Sequence, residues 1–175
     1  MRQPYWLLAT TLSLVSVATT AVASNSISVR DYPGIRCVEI NDSTPSIYYY
    51  GQMAENDAAS EQDFYCPVSF EGIHVQDYVL TADVMTWSAY VDDSNPSTNV
   101  SCLLKSCLED DSSCYATSLS YSSGSAGVQA MTGSTISSLA GSSRYVSYLR
   151  CDIPGKSSGN RSGIVSYRIT TDGLI

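Results

Sequence analysis

Six cysteines, Cys37, Cys66, Cys102, Cys107, Cys114 and Cys151, are spread along a chain that has a single histidine, His74. Zinc sites use paired knuckles of cysteine and histidine, and the chain has no pair of such knuckles, so an even set of cysteines points to disulfides in an oxidising compartment. Six cysteines permit fifteen pairings, and composition does not choose among them. Spacing suggests an arrangement. Cys107 and Cys114 bracket a short polar turn and can close locally, which leaves Cys37 with Cys66 and Cys102 with Cys151. On the loop-entropy model each closure contributes roughly 2.5–4 kcal/mol, so reduction should destabilise the fold severely.

The compartment is read from the beginning of the chain. Arg2 precedes a mainly apolar stretch over residues 6–17, followed by the small-residue sequence Ala21-Val22-Ala23. This is the pattern of a secretory signal peptide over residues 1–23, with cleavage after Ala23. About twelve residues are too few for a membrane helix, which needs ~20. Residues 24–175 are expected to form one domain, exported through the Sec pathway to a secreted, periplasmic or cell-surface location, with no membrane insertion after cleavage.

Charge then excludes partners. Nine basic residues face seventeen acidic ones, a formal net charge of −8, and the only lysines are Lys105 and Lys156. Nucleic acid and anionic membrane surfaces are poor partners, because binding them rests on neutralising phosphate with a basic surface.

Periodicity argues for strands throughout. Runs of β-branched and aromatic residues with period-two alternation fall at 35–40, 46–50, 63–69, 76–82, 85–91, 100–105, 115–120, 144–153 and 163–170, separated by Ser, Gly, Asn and Pro. In the run over 144–153, Tyr145, Leu149, Cys151 and Ile153 share one face, and Val146, Tyr148, Arg150 and Asp152 share the other. Residues 122–143, rich in Ser and Gly, read as a long loop with room for one strand. The expected fold is an all-β, disulfide-stapled two-sheet β-sandwich, immunoglobulin-like or jelly-roll.

The order Cys37, Tyr48-Tyr49-Tyr50-Gly51, Asn56, Tyr65-Cys66-Pro67, Val100-Ser101-Cys102, Cys151-Asp152-Ile153-Pro154 and Ser162-Gly163-Ile164-Val165-Ser166-Tyr167-Arg168 resembles a family of uncharacterised secreted β-sandwich proteins from myxobacteria and related Gram-negative bacteria. The resemblance implies a signal peptide and four shared cysteines, here Cys37, Cys66, Cys102 and Cys151, in agreement with the spacing. Cys107 and Cys114 depart from that pattern. No activity comes with the resemblance, and the bacterial origin it implies makes the acceptor sequences at Asn41, Asn99 and Asn160 silent for glycosylation.

No motif rises to catalysis. A nucleophilic triad would need a base, and only His74, with Asp77 nearby, is available. No Gly-x-Ser-x-Gly elbow occurs; Gly124-Ser125-Ala126-Gly127 has the wrong spacing. Seventeen acids supply many carboxylate pairs, so a secreted hydrolase stays a minor alternative. Two acidic clusters, Asp92-Asp93-Ser94-Asn95 with Asn99, and Glu109-Asp110-Asp111, read as solvated turns, with calcium as the competing reading.

Thirteen tyrosines against two Phe and two Trp are the compositional oddity. Most suit a half-buried place in the core, but an exposed ring also suits recognition. Tyr48, Tyr49, Tyr50 and Trp87 are the candidate ligand-facing aromatics. The expected function is a non-catalytic extracellular binding or surface-interaction module, with a cell-surface protein or a polysaccharide as partner. A carbohydrate-binding module, calcium-assisted or not, is the alternative, and it predicts a row of exposed aromatic rings on one sheet or at one end.

Overall fold

A computed structural model describes residues 25–40, 46–68, 82–108, 113–124, 126–137 and 145–174. Within them run β1 (Asn25–Pro33), β2 (Val38–Glu39), β3 (Ile47–Tyr50), β4 (Met53–Asn56), β5 (Gln62–Pro67) and β6 (Ala82–Asp93). They are followed by β7 (Ser101–Leu108), β8 (Cys114–Ala116), β9 (Ser120–Tyr121), β10 (Gly127–Thr132), β11 (Ile136–Ser137), β12 (Tyr145–Ile153) and β13 (Gly163–Leu174). A seven-stranded sheet runs β10-β6-β13-β4-β3, with β1 also on β13 and β11 also on β6. A six-stranded sheet runs β2-β5-β12-β7-β8, with β9 also on β7. Every described pairing is antiparallel. The fold is a disulfide-stapled, all-β sandwich. No helix among the described residues is long and apolar enough to cross a membrane.

Alternation decides which way each strand faces. On β6, Met85, Trp87, Ala89 and Val91 are buried, while Tyr90 between them is exposed. On β12, Leu149, Cys151 and Ile153 are fully buried and Val146 is exposed, as the alternation predicts. Phe64 and Leu104 complete the same core from β5 and β7. Each such side chain contributes about 1.5–3 kcal/mol by leaving water.

All three disulfides lie within the six-stranded sheet. Cys102 and Cys151 are register partners of β7 and β12, and Cys107 and Cys114 are register partners of β7 and β8. Cys37 precedes Val38, which pairs with Tyr65, so it stands opposite Cys66, to which it is bonded. This is the pairing that spacing suggests. None of the three crosses between sheets.

Apolar packing and a few side-chain hydrogen bonds therefore hold the two sheets in register. The Tyr167 hydroxyl on β13 donates to the Pro67 carbonyl on β5 at 2.6 Å, and Asn56 Nδ2 on β4 donates to the Ile153 carbonyl on β12 at 2.9 Å. Trp87 Nε1 on β6 donates to Thr117 Oγ1 beyond β8 at 3.2 Å. Burial pushes the Tyr167 hydroxyl well above the ordinary phenol range, so it stays a donor. Its ring stacks on Tyr32 with centroids 4.9 Å apart.

Several expected elements differ. The strand expected over 35–40 is interrupted, because Gly34–Arg36 forms a 3-10 turn that carries the chain from β1 in one sheet to β2 in the other. A Cβ on Gly34 would stand 1.9 Å from the Ile164 carbonyl oxygen, so only glycine lets this turn seat against β13. The strand expected over 115–120 is two short strands, β8 and β9, separated where Thr117 turns inward to accept from Trp87 and from the Leu104 amide. The loop expected over 122–143 contains two strands, β10 and β11, both on the free edge of β6. β1 and β4 carry no strand pattern strong enough to be expected. Residues 1–24, 76–81 and 109–112, with His74, lie outside the described residues.

Candidate binding face on the seven-stranded sheet

The hairpin of β3 and β4 turns at Gly51, whose φ of 61° is a left-handed conformation suited to glycine. On β4, Ala54 and Asn56 are fully buried and point inward, so Glu55 between them points to the outer face. Tyr48 is its register partner on β3 and shares that face with Tyr50. Tyr49 points the other way, and its hydroxyl donates to the Cys37 carbonyl at 3.2 Å, closing the edge of the sandwich. From β6, Tyr90 and Asp92 also face outward, since Ala89, Val91 and Asp93 are buried.

Strand pairing sets these residues in a transverse row. Tyr48 pairs with Glu55, Glu55 with Gly163, Gly163 with Asp92, and Asp92 with Val128. Gly163 is the low point of the row. A Cβ there would stand 2.4 Å from the Ala54 carbonyl oxygen and 3.0 Å from Glu55 Cγ, so the missing side chain lets β4 approach and lets Glu55 lie against β13. Two interstrand steps of about 4.8 Å then separate the strand of Glu55 from that of Asp92.

Glu55 is 9% exposed; its carboxylate makes no hydrogen bond or ion pair with the described residues, and its oxygens reach solvent. Burial pushes its pKa up; Arg161 opposes this, and the negative charges of Asp92 and Asp57 add to it. Arg161 is committed elsewhere. Its guanidinium lies 4.3 Å above the Tyr48 ring and bonds Asp57 at 2.5 Å, with Lys156 on the same carboxylate at 3.0 Å. These two hydrogen bonds, Arg161 first, hold Asp57 below the usual carboxylate range.

The four aromatic candidates separate. Tyr50 is 66% exposed and Tyr48 42%, on one face. Tyr49, though exposed at its ring, serves the sandwich edge. Trp87 is 3% exposed with its indole N–H bonded to Thr117, and a Cβ on Gly133 would touch the ring, so it is a core residue and no ligand-facing one. Its alternation with Met85, Ala89 and Val91 already carried that signal. Tyr90, 53% exposed, takes its place on the outer face, and the same alternation would have found it.

The acidic turn after β6 is built from side chains that bond their own backbone. Asp93 Oδ1 accepts from the Asn95 amide at 3.3 Å, and Asn95 Oδ1 accepts from the Ser97 amide at 2.9 Å. Asp93 points into the sandwich, where the Ser122 hydroxyl donates to it. Asn99 is exposed. Among the described residues no three His, Cys, Asp or Glu side chains gather as a metal site requires. The cluster at 109–111 lies outside the described residues.

The outer face of the six-stranded sheet is bonded to itself instead. Tyr65 and Tyr148 pack with centroids 4.9 Å apart, Lys105 lies over Tyr148, and Arg150 reaches Asp63 at 3.0 Å and Asp152 at 3.3 Å. The carboxyl-bearing residues Asp63 and Asp152 stand opposite one another on β5 and β12. Burial and the neighbouring carboxylate push Asp152 up. Arg150 Nε and Asp152 Oδ1 are nonetheless buried there without a hydrogen-bond partner, while on the seven-stranded sheet Tyr50 and Tyr90 are exposed on the outer face. No protein-family model matches the chain, and no curated protein matches it.

Proposed function

We propose that this chain is a secreted, non-catalytic binding module that takes its ligand on the outer face of the seven-stranded sheet. The observation that supports this reading is the set of outward tyrosines, Tyr48, Tyr50 and Tyr90, around the partnerless Glu55. Exposed tyrosines offer wide amphipathic area at little entropic expense, which is why binding surfaces favour them. Three disulfides fit an oxidising compartment, and residues 1–23 would direct the chain there.

The test is a biosensor measurement on the oxidised chain with soluble polysaccharides and purified cell-envelope proteins as probes. A Tyr50→Ala/Tyr90→Ala double variant should keep its stability within about 0.5 kcal/mol, because both rings are exposed. It should lose about tenfold or more in affinity for whichever probe the wild type binds, equivalent to ~1.4 kcal/mol. Equal binding by the two proteins would move the site off this face.

A further inference from the structure

We propose that the Cys107–Cys114 bridge is a thiol–disulfide exchange site, opened by an external thiolate that attacks Cys114 while Cys107 departs, with the other two bridges left intact. It lies on the six-stranded sheet and is independent of the binding face on the other one.

Position separates the three bridges. Cys37, Cys66, Cys102 and Cys151 are fully buried in the core between the sheets. On β7, the alternation that turns Cys102, Leu104 and Ser106 inward turns Lys105 and Cys107 to the outer face. There Cys107 meets Cys114 on β8, a strand at the edge of the sheet whose three residues are all exposed. The two halves of the bridge differ, since Cys107 is 2% exposed and Cys114 lies open to solvent. Exchange depends on which sulfur can be reached, so a thiol in solution meets this bridge at Cys114 and is kept from the core pairs.

The departing side is equipped to take charge. The Tyr148 hydroxyl stands 3.9 Å from Cys107 Sγ, and because a disulfide sulfur has no hydrogen, the hydroxyl is the donor. Lys105 Nζ lies 5.9 Å from the centre of the same ring and adds positive charge. Both favour a thiolate at Cys107. In the exchange, the external thiolate bonds to Cys114 Sγ, the bond from Cys114 to Cys107 breaks, and its electron pair leaves on Cys107 Sγ. A second thiolate then attacks the mixed disulfide. The two external thiols end as a disulfide, the bridge ends as two thiols protonated from water, and two electrons have passed to the protein. β8 thereby loses its covalent tie to β7 while the core stays stapled.

The test treats the intact oxidised chain under native conditions with reduced glutathione in one arm and a reduced protein dithiol in the other, then alkylates it and maps the labelled peptides by mass. Cys107–Cys114 should open about tenfold or more faster than either core bridge, with Trp fluorescence unchanged and the trapped mixed disulfide on Cys114. Opening in both arms assigns the site to small thiols, and opening in the second arm alone assigns it to a protein partner. Tyr148→Phe, with a melting temperature matching the wild type, should slow the opening severalfold. All three bridges opening together, none opening, a mixed disulfide trapped on Cys107, or an unchanged rate in Tyr148→Phe overturns the proposal.

Discussion

Cys102 and Cys151 face each other across β7 and β12 with their Cα atoms 4.1 Å apart, inside one sheet and fully buried. The other two bridges also join neighbouring strands of that sheet, with Cα atoms 4.0 Å apart, though Cys114 is exposed, so the staples fix strand order in one half of the sandwich and leave the contact between halves to packing. Cys102→Ala/Cys151→Ala should lower unfolding free energy by about 2–5 kcal/mol in urea denaturation. Cys107→Ala/Cys114→Ala, which opens a loop of seven residues' separation on the outer face, should lower it by less, about 1–3 kcal/mol. Equal losses would show that loop length is not what these bridges act through.

Thr117 Oγ1 accepts from both the Leu104 amide, at 3.0 Å, and Trp87 Nε1, at 3.2 Å. Thr117→Val keeps the shape and removes both acceptors, leaving two buried donors unmet, and should cost about 2–4 kcal/mol of stability. Thr117→Ser should recover most of that. Chemical denaturation followed by Trp fluorescence reads both.

Asn56 is fully buried, with Nδ2 donating to the carbonyls of Ser60 and Ile153 at 2.9 Å and Oδ1 accepting from the Ala58 amide at 2.8 Å. It joins the end of β4 to the end of β12. Asn56→Leu should destabilise by about 2–4 kcal/mol and raise amide exchange at Ala58. A loss below ~0.5 kcal/mol would mean water replaces these bonds.

Glu55 gives a pH dependence of definite sign. Its pKa is raised in the folded protein, so the fold holds the proton more tightly than the unfolded chain does. The stability this confers is present below the unfolded-state pKa and is lost as pH rises through the folded value. Glu55→Gln should therefore melt about 1–3 °C above the wild type at pH 7, with the gap closing toward pH 4. A gap that is constant with pH would remove ionisation as its cause.

How much of this was legible depended on whether a residue's role is local. The alternation Leu149, Cys151, Ile153 appears in the sequence because a half-buried strand has period two, and the structure buries those three side chains. The same rule, applied to Met85 through Val91, would have placed Trp87 inside and Tyr90 outside; reading Trp87 by residue type missed it. β4, with the sequence Met-Ala-Glu-Asn, has no strand propensity to read and becomes a strand through its pairing with β3 and β13. The strand expected over 35–40 fails because Gly34 must fit beneath the Ile164 carbonyl, a contact across 130 positions of chain.

By itself, the sequence determined that this chain is acidic, rich in strands and stapled, with a pairing of cysteines that spacing could suggest, because charge, period-two burial and short loop closure are local properties. Only the tertiary structure decided that the staples share one sheet, that Trp87 belongs to the core, and that Tyr48, Glu55, Gly163 and Asp92 form one row. Strand order brings together residues from β3, β4, β13 and β6 that are far apart along the chain, and hydrogen-bond register between antiparallel strands leaves no trace in sequence separation.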